Sequence, residues 1–273
     1  MNLVKGWRIG RSGRLSGGNN VNDLTKNINL NEIVLTNDIL DKIATKEAVS
    51  WVKNYTEPFR QLMVYYKCAM MSVETKFRVL SEEYSLSYSR NPIQSIKTRL
   101  KSFESIFEKL GRKGFPRSVE SLEKNLNDVA GVRVICSFPE DVYMLADALL
   151  QQDDVHLLET KDYIKNPKPN GYRSLHLIVE VPIFLANTKK MMKVEIQLRT
   201  IAMDFWATLE HQLKYKKHLK GAETISDELY RCAEISAKLD TKMDEIRKTL
   251  ESINRVDSDH SVTESLRENR ERA

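Results

Sequence analysis

Between residues 192 and 200 the sequence reads MKVEIQLRT, a strict two-residue alternation. In a strand, Val194, Ile196 and Leu198 point one way, and Lys193, Glu195, Gln197 and Arg199 point the other. The apolar face needs a core to cover it. The opposite face, with four polar or charged groups, either meets water or lines a site. Glu195 at its centre could take a proton from a hydroxyl or hold a metal ion. Arg199 could bind phosphate or pair with Glu195.

Further short β runs are VRVICS (132–137), VHLLE (155–159) and LHLIVEVP (175–182). Helical patterns surround them. Asp38 to Lys53 predicts a short helix. A longer one follows Pro58, which suits a first-turn position, with Phe59, Leu62, Met63, Tyr66, Met70, Val73, Phe77 and Leu80 at helical spacing. Ile93 to Lys113 predicts another, stopped by Gly114 and Pro116. Residues 141–152, the run from Ile201, and residues 226–254 are also helical in pattern. Helices before, between and after the strands of a mixed sheet predict an α+β fold. The expected organisation is a disordered basic extension over 1–35, N-terminal helices over 36–90, a core over 91–220, a helix over 221–255 and a disordered polar tail over 256–273.

Composition narrows the function classes. The 43 basic and 38 acidic residues leave a net charge of +5, less concentrated than a dedicated nucleic-acid binder usually carries. The three cysteines, Cys68, Cys136 and Cys232, are far apart and give no disulfide framework or zinc spacing. No stretch approaches the ~18 apolar residues of a membrane span. Arg8, Arg11 and Arg14 have no apolar segment behind them, so no secretory signal is expected. A cytoplasmic protein without membrane association is the expectation.

Three further segments carry chemistry. If residues near 100 are helical, Phe103, Ile106, Phe107 and Leu110 face the core, and Lys101, Ser105, Lys109 and Arg112 lie opposite. Cations interrupted by a small hydroxyl suit a polyphosphate chain, though a solvated basic face has the same pattern. In LNDVAGVRVICSF (126–138), Asp128 stands just ahead of a strand that alternates Arg133 against Val132 and Val134. A carboxylate there is a reasonable Mg²⁺ ligand, because Mg²⁺ takes few protein carboxylates plus phosphate oxygens. Taken alone, such a residue is more often a turn residue or a cap. The loop KDYIKNPKPNGYRSLH (161–176) holds Lys161, Lys165, Lys168, Arg173 and His176 around Tyr172, a flat ring for a base. Such a loop fits a nucleotide or single-stranded RNA.

Taken in order and spacing, NPIQSIKTRLKSFESIFEKL, DVAGVRVICSF, KDYIKNPKPNGYRSLH and VEIQLRTIAMDFWATLEHQLKYK resemble the synthetase domain of the RelA/SpoT family, in its small single-domain branch. The resemblance runs from about Phe59 to Asp244. It implies a nucleotidyltransferase-like mixed sheet of about five strands, without the family's separate hydrolase domain. It implies a (p)ppGpp synthetase that moves the β,γ-pyrophosphate of ATP to the 3′-hydroxyl of GDP or GTP and releases AMP. It also implies roles. Arg99 and Arg133 would sandwich adenine, and Lys101, Ser105, Lys109 and Arg112 would hold the ATP phosphates. Asp128 and Glu195 would hold Mg²⁺, with Glu195 also activating the hydroxyl. Tyr172 would stack on guanine, Lys161, Lys168 and His176 would contact the acceptor phosphates, Gln197 would support the acceptor, and Asp204 would bond guanine. Lys161 stands where Arg is often expected in the family, and Asp204 where some relatives carry Asn. Competing readings are a nucleotidyltransferase acting on RNA, for which the Gly-Ser-x-Asp-x-Asp pattern is not evident, and a non-catalytic RNA-binding regulator.

In the last helix, Leu229, Cys232, Ser236, Leu239, Met243, Ile246, Leu250 and Ile253 recur at three- and four-residue steps. Such a seam either packs on its own domain or meets another copy. The resemblance implies a homotetramer, with that seam and the aromatic helix Phe59 to Leu80 at subunit contacts.

Overall fold

The computed structural model describes residues 46–87, 90–214 and 222–271, with side chains over 57–86, 90–213 and 225–253. The basic extension, and most of the helix expected over Asp38 to Lys53, lie outside the described residues. Helix α1 (Lys46–Ser87) leads to strand β1 (Ile93–Leu100), helices α2 (Phe103–Arg112) and α3 (Val119–Asn125), and strand β2 (Ala130–Cys136). Helix α4 (Pro139–Leu150), strands β3 (His156–Asp162), β4 (Leu175–Phe184) and β5 (Lys189–Thr200), and helices α5 (Ile201–Lys214) and α6 (Ala222–Glu271) complete the order. The sheet order is β1-β2-β5-β4-β3. Among the described residues the β2–β5 pair is parallel and the other three pairs are antiparallel. This is the mixed five-stranded α+β fold that the alternating strands predict.

The core lies against one face of the sheet. Leu62, Tyr66, Ala69, Val73 and Phe77 of α1, Ile106 and Leu110 of α2 and Leu145 and Leu149 of α4 are buried with Val132, Val134, Val194, Ile196 and Leu198. Phe59 packs edge-on to Phe103, with ring centres 4.9 Å apart. Burying each such side chain contributes roughly 1.5–3 kcal/mol, so this face fixes strand register.

Three expectations need correction, and a fourth is narrowed. Residues 93–113 are not one helix. Ile93–Leu100 pairs antiparallel with β2, and only then does Ser102 cap α2, its hydroxyl accepting the Ser105 N–H at 3.3 Å. β1 is an edge strand of mixed polarity, and its backbone partners come from a segment about 35 residues on. Pro58 lies inside α1 and not in a first turn. It removes one hydrogen bond, but the preceding KEAVSWVKNYTE contains enough helix-forming residues to continue the helix. α6 runs to Glu271, through the stretch expected to be a disordered tail. The apolar stripe of the helix Phe59 to Leu80 is buried largely in this chain's own core, so any subunit contact of that helix falls to its other face, where Val64, Met71 and Val79 are exposed.

Candidate active site

The face of the sheet opposite the core carries a polar row. Lys97, Arg133, Gln197, His176 and Lys161 are successive register partners across β1, β2, β5, β4 and β3. Paired residues point to the same face, so five strands deliver five polar side chains in line. The neighbouring row places Arg99, Gly131 and Glu195 in register. Gly131 puts no side chain between them; a Cβ there would meet Arg99 O at 3.6 Å and Glu195 O at 3.9 Å.

On the β1–α2 side, Lys101 Nζ and Lys109 Nζ each reach Asp128 Oδ2 at 2.5 Å. Burial works to raise the Asp128 pKa, but hydrogen bonds from the two lysines outweigh it and hold the carboxyl below its usual range. Burial lowers Lys101, opposed by its bond to Asp128, with Lys109 and Arg99 adding repulsion. Asp128 Oδ1 is buried with no partner. An orphaned carboxylate oxygen in a ring of cations is unusual in a finished interior. Lys101 precedes α2 and is not on it, so the expected four-residue stripe is not a single helix face. Ser105 and Lys109 do share that face, with Arg112 exposed at its end. Arg99 is exposed on β1 and close enough to Arg133 to repel it.

On the other side, Glu195 has a polar neighbour at each oxygen. Gln197 Nε2 donates to Oε2 at 3.0 Å, and His176 Nδ1 lies 3.5 Å from Oε1. Burial pushes its pKa up, but the His176 and Gln197 bonds bring it below the ordinary value. Asp128 works against them by repulsion, so the two carboxylates feel each other. The sequence left open whether Arg199 pairs with Glu195. It does not. It is buried and donates to Tyr172 Oη at 2.6 Å, Gln197 Oε1 at 2.9 Å and Asp204 Oδ1 at 3.2 Å. Asp204, at the start of α5, also receives Arg133 at 3.3 Å and Lys97 at 3.2 Å. Its carboxylate is therefore shared among three cations.

The 161–176 loop is folded onto the site by its own chemistry. Gly171 N donates to Lys168 O at 2.8 Å, closing a turn over Pro169 and Asn170. Gly171 has φ +86, and a Cβ there would come within 2.5 Å of Ala233, so only glycine fits. Asn170 bonds Glu210, and Arg173 bonds Glu234, which ties the loop to α5 and α6. Lys165 faces Asp162 and the Tyr143 ring. Of the five loop cations, Arg173 and Lys165 are thus engaged away from Glu195. Lys168 Nζ sits over the rings of Tyr163, at 4.5 Å, and Tyr172, at 4.8 Å. Lys161 pairs with Glu159 at 3.0 Å. The sequence reading missed Lys97 and Tyr163. The alternation of β1 would have found the first, had it been read as a strand.

Two carboxylates, Asp128 and Glu195, are available for a cation, and among the described residues no group of three or more His, Cys, Asp or Glu side chains could hold one. Mg²⁺ needs few protein ligands, because it completes its shell with phosphate oxygens and water. The free Asp128 Oδ1 fits that use.

The pattern of the region found in RelA/SpoT proteins matches residues 98–220. The GTP pyrophosphokinase YwaC of Bacillus subtilis is 46% identical over 200 residues, covering 73% of this chain and 95% of that protein. The crystal structure of small alarmone synthetase 1 from Bacillus subtilis bound to its product pppGpp is 34% identical, with a TM-score of 0.65 over 70% of this chain and 97% of that one. The same enzyme bound to AMPCPP gives 32% and a TM-score of 0.62, over 72% and 99%.

Proposed function

The chain belongs to the RelA/SpoT family, and from that premise we propose that it is a (p)ppGpp synthetase. It transfers the β,γ-pyrophosphate of ATP to the 3′-hydroxyl of GDP or GTP, releasing AMP, in stringent-response signalling. The observation that carries this reading is the position of Glu195. It stands in register with Gly131 and Arg99 on one side, and bonds through Gln197 and His176 to the aromatic loop on the other.

In this reading the β1–α2 side is the donor half. Arg99 and Arg133 flank adenine. Lys101, Ser105, Lys109 and Arg112 neutralise and orient the phosphates, which is most of what phosphoryl-type transfer asks of a protein. Asp128 and Glu195 would hold Mg²⁺, whose charge would stabilise the oxygens that gain negative charge in the transition state. Glu195, kept ionised by its two donors, accepts the proton of the 3′-hydroxyl as the new O–P bond forms.

The loop side is the acceptor half. Tyr172 offers its ring to guanine, and Lys168, already over that ring, moves toward the 5′-phosphates together with Lys161. His176 and Gln197 support the acceptor from the sheet. Asp204 can accept from the guanine N1–H and amino group only by giving up part of its bonding to Lys97, Arg133 or Arg199. A cytoplasmic location, where ATP and GDP or GTP are abundant, belongs to the same proposal. No helix among the described residues is long and apolar enough to cross a membrane.

The test is product analysis. ATP labelled in its terminal phosphate, GDP and Mg²⁺ should give labelled ppGpp and unlabelled AMP on thin-layer chromatography. Transfer of AMP with release of pyrophosphate would sink the reading.

We also propose a homotetramer. One face of α6 packs on this chain through Ala233, Ser236, Asp240 and Arg247. Leu239, Met243, Ile246, Leu250 and Ile253 stay about half exposed in a continuous stripe, which suits a second copy. Leu239→Asp with Ile246→Asp should give smaller species by light scattering. A wild-type chain that is monomeric at micromolar concentration would overturn this assembly.

A further inference from the structure

Two paths of polar contacts start at the Arg199 guanidinium and end on the two carboxylate oxygens of Glu195. The short path runs from Arg199 Nη2 to Gln197 Oε1 at 2.9 Å, then from Gln197 Nε2 to Glu195 Oε2 at 3.0 Å. The long path runs from Arg199 Nη2 to Tyr172 Oη at 2.6 Å, on to His176 Nε2 at 2.8 Å, and from His176 Nδ1 to Glu195 Oε1 at 3.5 Å. Arg199 itself is anchored by Asp204.

The long path has a direction. A guanidinium only donates, so Tyr172 Oη accepts from Arg199. The phenol has a single proton, and Arg199 offers it no acceptor. A phenol proton turned to His176 Nε2, 2.8 Å away, fills that bond and makes Nε2 the unprotonated nitrogen. In a neutral imidazole the other nitrogen carries the hydrogen, and here it faces the Glu195 carboxylate, an acceptor. The remaining groups around the ring do not compete for Nε2. Tyr163 meets it edge-on at 5.3 Å, and Gln197 and Lys161 are its register neighbours, with Gln197 bonded to Glu195 and Lys161 to Glu159.

We infer that Arg199 and the Tyr172 hydroxyl are positioning groups that hold His176 as its Nδ1–H tautomer, so that a neutral N–H is aimed at Glu195. They touch no reacting atom in this account; they act through the imidazole. Tyr172 then has two separable jobs, its ring for the acceptor base and its hydroxyl for the tautomer. The catalytic consequence rests on the synthetase reading, whereas the tautomer does not.

The experiment is a long-range ¹H–¹⁵N correlation spectrum of histidine-labelled protein at mildly alkaline pH, with His176 assigned by its loss in His176→Gln. The wild type should show a protonated Nδ1 and a bare Nε2. Tyr172→Phe, which keeps the ring, and Arg199→Lys should both shift His176 toward a mixture of tautomers. In steady-state kinetics Tyr172→Phe should lower kcat several-fold and leave the KM for GDP within about twofold, the hydroxyl acting on the chemistry and not on stacking. A wild-type His176 protonated on Nε2, or a tautomer unmoved in both variants, overturns the inference. So does a Tyr172→Phe defect confined to the KM for GDP. If the wild type made no ppGpp at all while the spectra behaved as described, the synthetase reading would fall and the tautomer assignment would stand.

Discussion

Around β1 and α2, two lysines converge on one oxygen of Asp128 and leave its other oxygen buried without a partner. Around β4 and the aromatic loop, Arg199, Gln197, Tyr172 and His176 are joined to one another and reach both oxygens of Glu195, with Arg199 Nε buried without a partner. The first region holds charge in excess of its internal partners, which suits a polyphosphate and a cation. The second is already wired to itself, which fixes geometry before anything binds and requires a guest to exchange contacts. Lys168 illustrates the exchange, because its ammonium covers the ring that the guanine would use. The contrast teaches that the two halves of one site can be pre-organised by different means, excess charge in one and internal hydrogen bonding in the other.

The largest effect should come from the residue where the halves meet. Glu195→Gln keeps the shape but loses a charge and a proton acceptor, and product formation should fall by at least ~10²-fold. Binding of a non-hydrolysable ATP analogue, measured by calorimetry, should change far less. Near-normal turnover would remove Glu195 from the chemistry.

A smaller effect separates the halves. Lys109→Ala removes one of the two cations on Asp128 and one phosphate-directed charge. A charge-assisted hydrogen bond of about 1.5–3 kcal/mol predicts a KM for ATP raised roughly 10- to 100-fold. The KM for GDP should be unchanged in the same assays. Equal rises in both would mean that the excess charge on the β1–α2 side serves the whole site.

The smallest effect concerns what supports each half. On the donor side, Asp128 has a depressed pKa. The stability it adds is present above the unfolded carboxyl value and is lost as pH falls through its lower folded value. On the acceptor side, Thr200, next to Arg199, bonds Asp240 of α6 and caps α5 by accepting the Met203 N–H. Burial pushes Asp240 up to about 6, against its Thr200 bond, with Asp244 adding repulsion. The folded state therefore binds this proton more tightly than the unfolded one, and the ionised group costs stability that is fully present above about pH 6. Asp240→Asn should raise the Tm by on the order of 2–4 °C at neutral pH, with the gain shrinking as pH falls from about 6 toward the unfolded carboxyl value of ~4. A gain independent of pH in thermal melts would show that folding does not raise the Asp240 pKa.

Strand alternation made β2, β4 and β5 legible, and with them the face that carries Glu195, Gln197 and Arg133. It failed at β1, where Lys97 and Arg99 belong to a polar edge strand whose mixed pattern also fits a helix. It also failed for Asp204, whose bond to Lys97 joins residues 107 positions apart. No local pattern carries such a pairing; only the sheet order does. Tyr163 was hidden for a related reason. Its value lies in the ammonium it shares with Tyr172, a contact set by the turn at Gly171. On α6 the apolar repeat was visible, but the sequence could not say which members face the chain's own domain. Ser236 bonds Ala202 O and Leu229 packs near Trp206, while Leu239 stays exposed.

The division into a donor and an acceptor half is tested most directly by calorimetric titration of Arg133→Ala and Tyr172→Ala, each with a non-hydrolysable ATP analogue and with GDP. Arg133→Ala should weaken the ATP analogue by about 10- to 100-fold and change GDP affinity little. Tyr172→Ala should do the reverse. If Tyr172→Ala left GDP affinity untouched, or if both variants weakened both nucleotides alike, the division would be contradicted.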